Sequence, residues 1–484
     1  MSNHHSHEFL GFGASAPPNV IPDWLFMFLF FPPVRTTKEG IPIEAPYGLR
    51  KIEAVLMEKG FDVLTVDPDH LKPHLEDAKI LAIHVMDPFG WGPSSSTFSR
   101  ILRSGEPYLA KYFRLLLEKP EVREAKKRGL KIVVGGPGVW QFKYDQKFLK
   151  DHGIDVVILG EGEKIVPKVM EDLLSGKSLP QFIGSDGLDE QAIKQSPSIE
   201  EIPEIKNPSV NGLVEIGRGC PRHCKFCSVT LRPLRWYPYE KIEKEIKVNV
   251  RAGIKGGILH AEDVLLYGSK NWIPKPEKVI KLQKLAKKYY KTISWSHASF
   301  AAVAANPKLI KECSEIICDG NQSWWGVEMG IETASYKLLC KTMRGKVLPF
   351  KPEEWYDVLI QAAGIMNDNN LVPACTLITG LPGETDEDVI KTIELIDDLK
   401  WFKSLIVPLF FVPMGQLRNL DWFKLEDLTE LQKELMIKCL RHDIYWTRKF
   451  AFEYLNGRKK LLLPLYFFFI WCLERVGRKR KILA

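Results

Sequence analysis

The sequence predicts an α/β protein made of two successive β/α series: an N-terminal doubly wound, Rossmann-type parallel sheet of flavodoxin type, then a partial, TIM-like (β/α)6 barrel and a helical C-terminal tail. Three observations carry this. Short apolar runs alternate with amphipathic segments of helix length, twice along the chain. A stretch rich in Pro and Gly separates the two series. Of 484 residues, 45% are hydrophobic and 26% charged, enough apolar surface for two or three cores and too much for wholesale disorder.

After an N-terminal segment (1–22), the first domain spans 23–175. The run WLFMFLFF (24–31), closed by Pro32-Pro33, suits a buried parallel strand. Residues 47–59 predict a helix with Leu49, Ile52, Val55 and Leu56 on one face. Further strands are expected at 61–66, 80–85, 131–134 and 156–159, with helices at 108–117, 122–128 and 165–174. Ligands of such sheets sit at the carboxyl ends of the strands. The loops there are 87–97, Gly135-Gly136-Pro137-Gly138 and Gly160-Glu161-Gly162-Glu163.

Residues 176–208 carry prolines at 180, 197, 203 and 208 without sustained periodicity, and predict a linker. The second series (209–415) has strands at 212–216, 257–259, 293–296, 327–329, 374–379 and 405–411. Helices are expected at 240–250, 276–289, 307–316, 335–341, 353–367 and 386–399. An active site is expected at the carboxyl ends of these strands. Residues 421–456, within a C-terminal region of 416–484, read as helical.

The formal charge of +8 is unevenly placed. Residues 456–484 hold eight basic residues against one acid, Glu474, a net of +7 that leaves +1 for the rest. No nucleic-acid partner is expected of so neutral a body. The polar N-terminus lacks a secretory pattern, and the apolar run 461–473 is short of the roughly 20 residues of a spanning helix. These features predict a cytoplasmic protein. Basic clusters bracketing that run suit either a membrane surface or a helix packed on the barrel with a solvated end.

Nine cysteines are too few for a disulfide scaffold, yet three fall within eight residues: Gly219-Cys220-Pro221-Arg222-His223-Cys224-Lys225-Phe226-Cys227. C-x3-C-x2-C lets three thiolates converge from one loop on an inorganic centre. Iron–sulfur clusters ordinarily take four Cys, so three would leave one iron open. Zinc is the alternative; it needs a fourth ligand, and the adjacent His223 is expected to point away. The other cysteines (313, 318, 340, 375, 439, 472) read as ordinary buried residues.

This motif, with an aromatic before its last Cys and placed after the first barrel strand, resembles the radical S-adenosylmethionine (SAM) enzymes over residues 209–415. The resemblance implies a [4Fe–4S] cluster on Cys220, Cys224 and Cys227 whose open iron chelates SAM. It implies SAM contacts at Phe226, at Glu262 or Asp263, and at Glu328, Gly330 and Glu332. Read alone, each of those glutamates could equally be solvated at a strand end. Thr385, after Gly380-Leu381-Pro382-Gly383-Glu384, is a helix N-cap by pattern, and His297 reads as structural.

A flavodoxin-like domain ahead of such a barrel resembles the cobalamin-binding class of these enzymes. It implies cobalamin against Gly135, Gly136, Gly160 and Glu161, with Ser94 and Ser95 offering hydroxyls. The Asp-x-His-x-x-Gly of histidine-ligating cobalamin domains is missing; 32–38 has no His, and Asp67-Pro68-Asp69-His70 lies after the second strand. No protein histidine is therefore expected on the lower face of cobalt, and His84 reads as supporting the core. The alternative is a cobalamin-like fold that binds nothing.

The class implies carbon methylation or other C–C bond formation at an unactivated carbon of a small-molecule or lipid substrate, with an electron donor such as ferredoxin or flavodoxin. A lipid cyclase or coupling enzyme and a non-enzymatic cobalamin or cluster sensor are the competing expectations.

Overall fold

The computed structural model describes Ser15 and residues 22–31, 33–103, 105–185, 187, 190–454, 460–461 and 463–479. The basic residues 458, 459, 480 and 481, and nearly all of the N-terminal segment, lie outside these residues.

Four parallel strands form the N-terminal sheet in the order β1 (Ile80–His84), β2 (Lys131–Gly135), β3 (Val156–Leu159), β4 (Phe182–Gly184). Period-two alternation sends Ile132, Val134, Val157 and Leu159 to one face and Val133, Val156 and Ile158 to the other. Phe113 and Leu117 of the helix Tyr108–Glu118 cover the first face. Val55 and Leu56 of the helix Tyr47–Glu58, with Val169 and Met170 of the helix Val166–Leu174, cover the second.

Two expected strands are absent. WLFMFLFF folds as the helix Asp23–Phe30. An unbroken apolar run has no period to fix its type, and none of these residues is β-branched. The helix docks through Phe26, stacked on Tyr108 at 4.5 Å, and through Asp23, which accepts from the Tyr108 hydroxyl at 2.7 Å. In a flavodoxin order the second strand pairs only with the first. With that partner gone, residues 61–66 run extended outside any ladder, with Leu64 exposed.

The expected linker is built into the fold. It supplies β4 and the helix Glu190–Gln195, and its backbone carbonyls at Pro203 and Pro208 accept from Lys51 and Arg50.

All six barrel strands are present: β5 (Leu213–Glu215), β8 (Gly256–His260), β9 (Thr292–Trp295), β10 (Trp325–Glu332), β11 (Leu371–Thr379) and β12 (Leu405–Phe410). They form two parallel sheets, β5-β8-β9 and β10-β11-β12, joined by a parallel bridge between His297 and Glu328. Between β5 and β8 lies an unexpected antiparallel pair, β6 (Gly217–Arg218) with β7 (Arg235–Trp236). Its two-residue stem carries the cysteine loop. The helical C-terminal region starts later than expected, as Glu430–Tyr454, and a second helix spans Leu463–Lys479. No helix among the described residues is long and apolar enough to cross a membrane.

Candidate active site at the barrel mouth

Chain connectivity places the cysteine loop at the carboxyl end of β5. Gly219 has φ 83°, and a Cβ there would meet the Pro233 carbonyl at 2.6 Å, so the turn into the loop admits only glycine. The loop is held from several sides. Lys225 N–H donates to Thr342 O at 2.8 Å, Gln416 N–H donates to Lys225 O at 2.8 Å, and the Thr230 hydroxyl donates to Cys227 O at 2.9 Å. Arg222, between the first two cysteines, is buried. Its Nη1 donates to the carbonyls of Gly345, Lys346 and Leu348, and its Nη2 to Asp263 at 3.2 Å and to Ser299 at 2.6 Å.

Burial pushes the Cys220 thiol up to about 12, and raises Cys224 too. Burial first, and then the Glu262 carboxylate, push Cys227 up to about 11. Thiols so placed stay protonated in water, whereas a bound metal deprotonates its thiol outright. Among the described residues no group of three or more His, Cys, Asp or Glu side chains is arranged to hold a single ion. A cubane asks for something else, one thiolate per iron, with the three sulfurs standing apart around it. The donor set fits that demand: three thiols on one clamped loop, with His223 exposed at φ 51°. Of the other described cysteines, Cys313, Cys375 and Cys439 are buried as expected, but Cys340 is exposed on its helix.

The structure separates the expected SAM contacts. Asp263 is taken by Arg222 and Ser299, so Glu262, half-buried and near enough to Cys227 to raise its thiol, is the carboxylate of this pair that they leave unengaged. Glu328 lies 3.3 Å from His297 Nε2, both partly exposed, which makes His297 a neighbour of the site. Glu332 is buried at φ 63° and accepts from Lys346 Nζ at 2.7 Å and the Thr376 hydroxyl at 3.1 Å. A Cβ on Gly330 would fall 1.8 Å from Glu332 Oε1, so this glycine makes room for the ion pair. Glu332 and Gly330 thus accommodate the largely buried Lys346 at this strand end. Phe226 is half-buried and packs on the barrel core. Thr385 precedes the helix Asp386–Leu399 in a capping box with Asp388, as its pattern predicted.

The expected cobalamin contacts divide similarly. The Glu161 carboxylate is buried between Arg218, at 2.8 Å, and Arg235, at 2.9 Å. Burial would raise it, but the two guanidiniums hold it below the ordinary carboxylate range. Its side chain ties the loop after β3 to the β6–β7 stem. Gly136 and Gly160 are required by the protein itself, since a Cβ would strike the Val85 and Ser185 carbonyls at 2.6 and 2.4 Å. Gly135 opens on free space. Ser94 pairs with Ser15 at 2.9 Å, and the buried Ser95 hydroxyl has no hydrogen-bond partner among the described residues. The expected loop 87–97 is helical from Pro93, in the helix Pro93–Leu102, and its Thr97 accepts from Phe410 N–H at 2.7 Å, tying this helix to the end of β12.

Arg218, Arg222 and Lys346 were invisible to motif reading. So was an aromatic group at the strand-end loops: Trp140 stacks on Trp422 at 6.0 Å, with Trp91 at 6.2 Å from the same ring.

Residues 214–396 match the family model of the radical SAM superfamily. The chain is 27% identical over 289 residues to an uncharacterized methyltransferase of Pyrococcus horikoshii, covering 55% of this chain and 58% of that protein. It is 23% identical over 282 residues to the tRNA-2-methylthio-N(6)-dimethylallyladenosine synthase of Orientia tsutsugamushi, covering 57% and 59%. The match therefore spans less than two thirds of either relative. The fold is similar to that of the radical SAM methyltransferase TsrM from Kitasatospora setae, solved with cobalamin and a [4Fe–4S] cluster, with TM-score 0.53 at 13% identity over 76% of this chain and 69% of that one. A second structure of TsrM, with tryptophan and a SAM analogue, gives TM-score 0.54 at 14% identity over 75% and 70%. Residues 214–396 are a radical SAM domain, whose cofactors are a [4Fe–4S] cluster and SAM.

Proposed function

We propose that this chain is a cobalamin-dependent radical SAM enzyme that methylates, or otherwise forms a C–C bond at, an unactivated carbon. One observation carries the reading. Segments that follow the strands of the N-terminal sheet are bonded directly to the barrel, by Thr97 of the helix Pro93–Leu102 to Phe410 and by Glu161 and Glu163 of the loop after β3 to Arg218 beside the cysteine loop. A methyl carrier on the first domain would then face the site of SAM cleavage on the second. When bound, the cluster and SAM supply a 5′-deoxyadenosyl radical, and cobalamin supplies the methyl group.

The chain's own residues do the rest. Cys220, Cys224 and Cys227 hold the cluster. Glu262 and Glu328 line the mouth as acceptors for ammonium or hydroxyl groups of SAM. Gly135 and Ser95 offer an open backbone and an unused hydroxyl on the cobalamin side. Reduction needs an external one-electron donor of ferredoxin or flavodoxin type. The likeness of the fold to TsrM and the methyltransferase among the relatives support the methylation branch.

Anaerobic reconstitution with iron, sulfide and hydroxocobalamin tests this. Iron–sulfur absorbance, bound corrinoid, and 5′-deoxyadenosine from SAM and reductant are expected. Absence of corrinoid binding removes the cobalamin reading, and absence of SAM cleavage removes the enzyme reading altogether.

A lipid substrate is favoured by a separate feature. Phe452, Phe468 and Trp471 of the C-terminal helices are 61%, 53% and 48% exposed, with Arg475 over the Trp471 ring at 5.1 Å. Aromatic rings beside basic residues suit a membrane interface. Sedimentation with anionic vesicles decides: Trp471→Ala/Phe468→Ala is expected to reduce binding at least five-fold, and unchanged binding removes the lipid argument.

A further inference from the structure

Arg218 is the last residue before the turn into the cysteine loop, and three carboxylates meet on its guanidinium. Nε donates to Glu215 at 2.8 Å, Nη1 to Glu161 at 2.8 Å and Nη2 to Glu163 at 2.7 Å. The side chain is only 10% exposed. Each donor direction of the planar fork is thus assigned to a different acid, a geometry that a flexible ammonium cannot reproduce. Glu215 belongs to β5, whereas Glu161 and Glu163 sit in the loop after β3 of the other domain. One residue separates Arg218 from Cys220. Its partner across the hairpin, Arg235, holds Glu161 a second time through both carboxylate oxygens at 2.9 Å. Thus a loop at the carboxyl end of one sheet is tied to the stem from which all three thiols hang, by Arg218 at both of its glutamates and by Arg235 at Glu161 alone.

We propose that Arg218 is the positioning residue of a two-cofactor site: through Glu161 and Glu163 it sets the distance between the cysteine loop and the strand-end loops of the N-terminal sheet. The proposal rests on the cobalamin reading for its purpose, but the tie itself is a property of the chain. Arg218 touches neither cofactor. It governs how closely the two can be brought together, and a shift of about 1 Å in such a geometry costs on the order of 100-fold in rate.

The full-length chain is compared with Arg218→Gln, Arg218→Lys and Arg235→Gln. Arg235→Gln removes one cation from Glu161 but leaves all three Arg218 pairs. In the cofactor-free protein, amide hydrogen exchange at 219–227 and 160–163 is expected to quicken at least ten-fold in Arg218→Gln. It should quicken less in Arg218→Lys and stay near wild type at 219–227 in Arg235→Gln. The helix Pro276–Tyr289 should be unchanged throughout. In reconstituted protein, cluster content and SAM cleavage should stay within two-fold. The relaxation of the cob(II)alamin signal by the reduced cluster, which reports the distance between them, should fall by more than half in Arg218→Gln alone. Wild-type exchange and wild-type relaxation in Arg218→Gln overturn the proposal. So does quickened exchange spread evenly over the chain, which marks a merely structural residue. If the wild-type chain binds no corrinoid, the proposed function fails, and the exchange comparison still decides the tie. If Arg218→Gln does not fold, Arg218→Lys is judged by exchange alone: quickening confined to 219–227 and 160–163 is expected, and wild-type exchange at both segments overturns the proposal.

Discussion

Arg222 and Glu262 are neighbouring charges beside the cysteine loop; the first holds that loop, and the second is proposed to meet SAM. Arg222 is 4% exposed and its partner Asp263 is 2% exposed. Burial pushes Asp263 up, and Arg222 with Ser299 pulls it back only in part. Removing one member of such a pair leaves an uncompensated buried charge, at a cost of about 3–5 kcal/mol. Arg222→Gln should therefore lower stability by about that amount, and also lose cluster, because the carbonyls of 345–348 are released from the loop. Chemical denaturation and iron analysis check this together. Glu262→Gln should behave in the opposite way, with unchanged stability and cluster content and at least ten-fold weaker SAM binding, read from the SAM-induced change in the cluster's electron paramagnetic resonance signal. The three cysteines were legible in sequence because metal chemistry fixes their spacing. Arg222 and Lys346 were not, because their roles come from segments about 120 residues apart (Arg222) and from a glycine whose missing side chain makes the space (Lys346).

At the scale of elements, periodicity found what local physics determines. Six barrel strands lie where their apolar runs and turns placed them, because each sends at least one face into a single core. The two failures share one cause. An apolar run without period or β-branching folded as a helix, and the next segment lost its only pairing partner. The hairpin stem β6–β7 was illegible because two residues per strand carry no pattern. The loop after β11 carries an element-scale prediction. Burial pushes Glu384 up to about 6, although Gly380 N–H and Gln432 donate to it. A carboxyl with a raised folded-state value binds its proton more tightly when folded than when unfolded. Its contribution is thus most favourable below the ordinary glutamate value of 4.5 and is lost as pH rises through about 6. Glu384→Gln keeps an acceptor and removes the titration. Relative to wild type, the variant should gain stability on going from pH 4.5 to pH 8, measured by denaturant midpoints at both pH values. A constant difference between the two would show that Glu384 does not titrate in this window.

Across the whole molecule, Glu245 makes one body of three parts. This fully buried carboxylate lies on the barrel helix Tyr239–Arg251. It accepts from Lys51 and, at 2.6 Å, from the Tyr47 hydroxyl, both on the helix Tyr47–Glu58 of the N-terminal domain, and from the backbone N–H of Ile205 in the connecting segment at 3.2 Å. Lys51 is itself 1% exposed and donates also to Pro203 O at 2.6 Å. Nearby, burial would raise the Glu215 carboxyl, but Arg218 first, and Lys51 with it, hold it down to about 2. A carboxyl depressed on folding stabilises above its unfolded value and loses that contribution as pH falls toward the folded one, here from about 4.5 to about 2. The interface between the domains should consequently be the acid-sensitive part of the molecule. At pH 7 the chain should unfold in a single transition, because neither domain can leave without stranding charge. Lys51→Met leaves Glu245 buried without its cation and should cost about 3–5 kcal/mol. That loss is confined to the interface, so the transition should split, with the N-terminal domain's signal moving first and the barrel's staying close to its wild-type midpoint. Calorimetry of the two proteins at pH 7 and pH 4 distinguishes the outcomes. A single transition that merely shifts in Lys51→Met would mean that the domains share stability through their apolar contacts, with the buried ion pairs secondary. A split transition would place the coupling of the two halves in these few charges.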